Sequence, residues 1–250
     1  MMKYVFCLLL VVSALLAAPC MLLAVTLRHT GSSHVSQPSS PVCDDDSVSC
    51  AVADTLVPPA QAEAVDLGLS VKWANMNVGA STPEGYGDFF AWGETTPKNT
   101  YNLSAYKWSK GTKKSLFKYC TDSEYGMVDD KTVLEPSDDA ATAQWGSSWR
   151  MPTAEEFDEL CDSCSWAWTT QNDVNGYLVT GPSGNSIFLP AAGCRYDKGS
   201  YYVGTYGYYW TSSVVAAHPN CARYLFFKAE GTDRLIYDRD SGRTVRPVAR

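Results

Sequence analysis

Histidine is scarce in this chain. There are three among 250 residues, His29, His34 and His218, and charged side chains make up 19% of the total. A zinc centre needs about four Cys, His or carboxylate ligands brought together. A Ser-His-Asp or Cys-His relay needs an imidazole beside its nucleophile. With His218 alone beyond residue 62, both chemistries lack their usual parts. Basic residues are also in the minority, 20 Lys and Arg against 27 Asp and Glu, for a formal net charge of -7. A general nucleic-acid binder presents a dominant basic face, so no nucleic-acid partner is expected.

Other catalytic patterns have simpler readings. Asp44-Asp45-Asp46 lacks the regularly spaced oxygen ligands of a calcium loop and reads as a solvated acidic run. Glu155, Glu156, Asp158 and Glu159 crowd the start of an expected helix. The macrodipole favours acids there, a simpler account than a glycosidase carboxylate pair. Cys161-x-x-Cys164 falls at the far end of that helix, whereas a reactive thiolate wants the N-terminal end. No enzymatic activity, cofactor or bound metal is expected.

The chain does contain a long apolar run. Tyr4 to Leu27 holds 24 residues without a charge, preceded by Lys3. As a helix it spans ~36 Å, enough for a ~30 Å hydrocarbon core. It is longer than the roughly 7–15 apolar residues of a cleaved signal peptide, and its small-x-small cleavage candidates are poor. Residues 1–28 therefore read as a signal-anchor, with a cleaved signal peptide or a lipoprotein at Cys20 as alternatives. Each exports the rest of the chain to the cell envelope, with membrane contact through residues 4–27 if the run is uncleaved. Residues 29–62, rich in Ser, Pro, Val and Ala, read as a flexible spacer. The remainder, 63–250, is the globular domain. Seven cysteines follow the apolar run, at 43, 50, 120, 161, 164, 194 and 221. An odd number leaves at least one without an intrachain partner; Cys43–Cys50 and Cys194–Cys221 are candidate disulfides, and Cys161 and Cys164 a packed or bonded pair.

Local patterns outline the domain. Val65, Leu67, Leu69, Val71 and Trp73 alternate with polar or small residues and predict a strand over 65–73. Phe89–Gly93 is a second short apolar segment. Residues 98–118 interleave lysines with aromatics, which suits a surface loop anchored by buried rings better than a polyanion site. Thr153 and Glu156 form a capping-box pattern ahead of Phe157 and Leu160, and a shorter helix is expected over 138–144. Strands are expected at 176–180 and 186–190 across a turn-rich connection, and then at 208–212, 222–228, 234–237 and 244–248. Trp73, Trp92, Trp145, Trp149 and Trp210 read as core, Trp166 and Trp168 as partly exposed. The fold class expected is α+β, with one or two helices early and a twisted antiparallel sheet of short strands late.

Five blocks carry a resemblance. They are Val65–Ala74, Trp149–Phe157, Phe188–Gly193, Tyr209–Ser213 and Val245–Val248. In this order they resemble the Fibrobacter succinogenes major paralogous domain, a family abundant in Bacteroidetes surface proteins, over roughly residues 63–250. The block around Arg150-Met151-Pro152-Thr153 is also similar to a helix start in formylglycine-generating enzymes. Both resemblances imply a C-type-lectin-like fold with the first and last strands paired. They also imply a long loop region that carries the binding surface. Cys194 and Cys221 are far apart in the sequence, unlike the closely spaced active-site pair of the formylglycine-generating oxidases. Glu135-Pro136-Ser137 departs from the sugar-binding triplet of calcium-dependent lectins and precedes the capped helix, so a calcium-independent domain is expected.

The densest recognition signal lies between these blocks. Five of the nine residues from Tyr201 to Tyr209 are tyrosine. Tyrosine offers a flat contact area with a hydrogen-bonding tip and little rotamer entropy to lose. From residue 195 onward nine Lys and Arg stand against five acids, compatible with an anionic partner or with scattered surface charge. The candidate ligand-binding residues are Tyr196, Tyr201, Tyr202, Tyr206, Tyr208, Arg223 and Arg234. Arg195 is a further donor able to hold a carboxylate or sulfate. The function expected is adhesion-type binding of an extracellular glycan or protein ligand, with structural docking to another envelope protein as the alternative.

Overall fold

The computed structural model describes residues 59–249, which fall within one compact unit, residues 51–250. The apolar run at 4–27, nearly all of the spacer and the Cys43–Cys50 candidate lie outside the described residues. No helix among the described residues is long and apolar enough to cross a membrane.

The elements in chain order are β1 (Ala64–Val65), β2 (Lys72–Ala74), α1 (Ala140–Trp145), β3 (Trp149–Arg150), α2 (Ala154–Ser163), β4 (Ser165–Gln171), β5 (Val174–Thr180) and β6 (Ser186–Pro190). Then follow β7 (Cys194–Tyr196), β8 (Gly199–Tyr201), β9 (Tyr206–Val214), β10 (Cys221–Lys228), β11 (Gly231–Asp238) and β12 (Val248–Ala249). They form four antiparallel sheets, ordered β1-β2-β12-β3, β11-β10-β9, β4-β5-β6 and β7-β8. This corrects the expected α+β, C-type-lectin-like arrangement with a single twisted sheet. The strands are too short and too interrupted to merge. Between β2 and β3 the chain makes isolated bridges, two 3-10 turns and α1, but no strand.

Local chemistry explains where the sequence pattern held and where it did not. Asp66 Oδ1 accepts the Gly68 N–H at 2.9 Å, and Gly68 has φ of 77°, a left-handed conformation open to glycine at little cost. The alternating stretch therefore turns instead of extending, and Val65 pairs back onto Trp73. Its apolar members still point inward, with Leu67 and Trp73 fully buried. The capping box is complete: Glu156 N–H donates to Thr153 Oγ1 at 3.3 Å, and Thr153 N–H donates to Glu156 Oε2 at 2.8 Å. Asp139 caps α1 by accepting the Thr142 N–H at 2.9 Å. The α2 helix buries Phe157 and Leu160, and Trp73 meets Phe157 at 5.0 Å between ring centres. Trp92, Trp145, Trp149 and Trp210 are buried as well, while Trp166 and Trp168 on β4 are half-buried.

The segment from Arg239 to Pro247 has no long strand of its own, yet it reaches all four sheets. Gly242 exchanges backbone hydrogen bonds with Arg195 of β7, and Arg243 does so with Phe90. Thr244 N–H donates to Tyr208 C=O and Thr244 C=O accepts from Trp210 N–H, both on β9. Val78 and Ala74 donate to the carbonyls of Val245 and Pro247, and β12 then enters the first sheet beside β2. Arg246 reaches the remaining sheet through Phe188 C=O of β6, at 2.8 Å. The same fully buried guanidinium donates to Asn77 Oδ1 at 2.8 Å and Ala74 C=O at 3.0 Å. Burial pushes its pKa down to about 10, so it stays charged at neutral pH.

Replacing Arg246 with Met strands these three buried acceptors, at about 1–3 kcal/mol for each group left unsatisfied. We expect a clear fall in the urea midpoint of Arg246→Met, followed by tryptophan fluorescence. An unchanged midpoint would show that the three acceptors do not depend on this side chain.

Candidate functional site

In the β9-β10-β11 sheet, β9 and β10 are rich in aromatic residues and largely buried on both faces, whereas β11 is mostly exposed. Tyr224 of β10 lies opposite Trp210, and Phe226 opposite Tyr208. Alternation places Tyr208, Trp210 and Tyr224 in one hydrophobic cluster, and Tyr209, Leu225 and Phe227 in another. On the first face the rings lie against Arg243, supplied by the segment that follows β11. Its guanidinium carbon lies 3.6 Å from the Tyr224 ring centre, 4.6 Å from Trp210, 4.9 Å from Tyr237 and 5.1 Å from Tyr208. Cation–π attraction holds a charge in such a cage without a carboxylate.

In front of this cage lies a cavity of about 250 Å³. Tyr208, Tyr224 and Arg243 are its buried walls, at 9%, 6% and 2% exposure. Tyr196, Tyr202 and Tyr237 are half exposed at its opening, and Cys194, Arg195 and Ser241 complete the lining. The opening is held in place. Tyr202 adopts φ of 60°, in a turn closed by Thr205 and Tyr206 N–H groups and the Thr205 hydroxyl, all donating to its carbonyl. The Tyr202 ring stacks on Tyr206 with centres 4.8 Å apart. Gly193 passes so close to this turn that a Cβ there would lie 2.2 Å from Tyr201 C=O.

Charge is distributed unequally in the cavity. Burial lowers the Arg243 pKa, opposed by its interactions with Tyr224 and Cys194. Burial raises the hydroxyls of Tyr208, Tyr224 and Tyr237, so these rings remain neutral phenols at physiological pH. Nη1 of Arg243 and Nε of Arg195 are buried without a hydrogen-bond partner. Nε of Arg243 has a long contact to Ser241 Oγ at 3.4 Å, and the Tyr224 side chain is a further hydrogen-bond partner of the guanidinium.

Of the residues expected to bind ligand, Tyr196, Tyr202 and Tyr208 line this cavity. Tyr206 sits behind them, between Tyr202 and Phe226. Tyr201 is exposed beside Tyr202, 6.5 Å away between ring centres. Arg223 and Arg234 are elsewhere, at a recess of about 20 Å³ against α2. There Arg234 is paired with Asp158, at 3.1 Å, and with Asp162. Arg243, Tyr224, Tyr237, Ser241 and Cys194 were not anticipated. The available signal was the spacing of Arg239, Arg243 and Arg246, which brings three cations into a short segment. A more open cleft of about 320 Å³ beside Glu94 and Lys107 offers less, because Glu94 is already paired with Lys98 at 2.7 Å.

The expected Cys194–Cys221 disulfide is not formed, while Cys161 and Cys164 are packed against the core without a bond between them. Cys120, Cys161, Cys164, Cys194 and Cys221 are all free. Cys194 lines the tyrosine cavity, whereas Cys221, at the start of β10, has its Sγ 3.8 Å from Asp238 Oδ1 and is not part of the lining. No family model, curated protein or solved structure matches the chain.

Burial pushes the Cys161 and Cys221 thiols up to about 11. An acid held neutral by the fold reacts as thiolate only as pH approaches that value. We expect iodoacetamide labelling of both, followed by mass spectrometry, to rise with a midpoint well above the ordinary thiol range. A midpoint at or below that range would contradict it.

Proposed function

We propose that this chain is an exported ligand-binding protein of the cell envelope, and that its recognition site is the cavity walled by Tyr196, Tyr202, Tyr208, Tyr224 and Tyr237. The observation carrying this reading is a preformed aromatic recess with half-exposed rings at its opening and a buried cation in its wall. Small-molecule sites are typically concave and aromatic-lined, with a few placed polar groups. Export is inferred from the apolar run at 4–27 and display on the envelope from the resemblance to the major paralogous domain. No acid–base pair or activated nucleophile accompanies the cavity. The thiol lining it, Cys194, has its pKa raised by burial, opposite to the need of a nucleophile.

Docking to an envelope protein is the second reading, supported by a different surface. The β11 strand is an edge strand and exposes Leu235 and Ile236 at 36% and 44%, beside the cavity residue Tyr237. An uncovered apolar edge invites strand addition.

The two readings separate on mutation. On a glycan and small-molecule array, the full chain should bind a subset of probes, and Tyr202→Ala should weaken that binding at least tenfold. An Ile236→Lys chain should bind as the parent does. Binding unaffected by Tyr202→Ala but abolished by Ile236→Lys would transfer the function to the β11 edge.

A further inference from the structure

Three arginines are buried in the segment after β11, and their donors are used differently. Arg239 donates to the Tyr106 hydroxyl at 2.8 Å and to the carbonyls of Tyr119, Pro219 and Lys118 at 3.0, 2.7 and 3.1 Å. Arg246 donates to two carbonyls and an amide oxygen. Both are cross-links within the scaffold. Arg243 is 2% exposed and differs in having its faces occupied by rings and its edge only partly satisfied, through Ser241 and Tyr224. Four aromatic rings surround the guanidinium, while Nη1 has no partner. Leaving a buried charged donor unpaired costs more than the roughly 1–3 kcal/mol of a neutral one. Cation–π contact offsets the charge but does not supply an acceptor for the N–H groups.

A second unsatisfied donor belongs to another lining residue, Arg195, whose guanidinium also lies 5.5 Å from the Tyr101 ring centre. Among the described residues three buried side-chain polar atoms lack a partner, and two of them belong to Arg243 and Arg195. Both arginines line the cavity of about 250 Å³. No Asp or Glu lines it. The carboxylates closest in sequence are engaged or turned elsewhere: Asp197 accepts from Asn102 at 2.7 Å, and Asp238 pairs with Lys113 at 2.6 Å. Asp240 is buried, with its pKa raised chiefly by that burial, and it is not part of the lining.

We infer that the cavity takes an anionic ligand, a sugar-sized ring bearing one carboxylate or sulfate, with the oxyanion held by the guanidinium groups of Arg243 and Arg195 and the ring against the tyrosines. This inference rests on the reading of the cavity as the recognition site. A planar guanidinium presents fork-shaped donors that match a carboxylate or sulfate edge. The phenols, kept neutral, add donors without repelling the anion, and their faces suit the C–H surface of a ring. The volume lies just below the roughly 300–1,000 Å³ of pockets for drug-sized ligands, which favours a single ring or a terminal residue of a longer chain.

The experiment titrates the full chain with glucuronate, glucose 6-sulfate and uncharged glucose by isothermal calorimetry. At least one anionic probe is expected to bind and glucose to bind at least tenfold more weakly. Glucuronate alone identifies a carboxylate site, and glucose 6-sulfate alone a sulfate site. Arg243→Gln and, separately, the half-buried Arg195→Gln are each expected to weaken the anionic probe tenfold or more. Circular dichroism and thermal unfolding establish that each variant is folded, and Arg195→Gln carries the test if Arg243→Gln is not. Equal binding of glucose and glucuronate, lost in Tyr202→Ala but retained in Arg195→Gln, overturns the anion assignment while keeping the cavity as the site. Anionic binding unaffected by Tyr202→Ala and by both arginine variants overturns the cavity itself.

Discussion

A buried irregular segment must satisfy its backbone polar groups without a regular ladder of its own. Residues 239–247 meet that requirement by bonding in turn to Asn220, Trp92, Arg195, Phe90, Tyr208, Trp210, Val78 and Ala74. These bonds go to five separate pieces of chain, so the segment joins sheets too short to be stable apart. The arginines extend the same logic to side chains. Arg239 gathers Tyr106, Tyr119, Lys118 and Pro219 around one cation, and Arg246 ties the region around β2 to β6.

The candidate site follows from this construction. The backbone of Arg243 is fixed on one side by Phe90, and its neighbours Gly242 and Thr244 are fixed by Arg195 and Tyr208. Gly242 is packed so closely that a Cβ would lie 2.8 Å from the Tyr101 ring. The guanidinium is thereby held against the aromatic face of β9 and β10 without a loop of its own to relax. Only the outer rings, Tyr196, Tyr202 and Tyr237, are half exposed. Rigid wall and accessible opening are the arrangement in which binding loses least to reorganisation.

The blocks that carry the family resemblance map mainly onto the buried framework. Trp73, Phe157, Leu189, Tyr209, Trp210, Val245 and Val248 are all at 1% exposure or below. The tyrosine-rich stretch between them is the part that reaches solvent, at Tyr201 and Tyr202. Sequence reading separated framework from surface correctly at these positions, because apolar density and glycine interruption are properties of neighbouring residues. It misjudged residues 65–73, where an Asp66–Gly68 turn overrides the alternation, and the structure puts Arg223 and Arg234 in a recess against α2, apart from the tyrosine cavity.

What the sequence determined alone is local. The Thr153–Glu156 capping box, the β5–β6 hairpin and the burial of five tryptophans each depend on residues a few positions apart or on side-chain character. The tertiary structure decided which cations are spent on the scaffold and which face a cavity. Arg246 finds Ala74 across 172 positions and Arg239 finds Tyr106 across 133, whereas Arg243 meets rings and leaves Nη1 unpaired. An arginine carries the same donors wherever it stands. Whether they are satisfied depends on acceptors brought from distant parts of the chain, a fact of packing that no local pattern encodes.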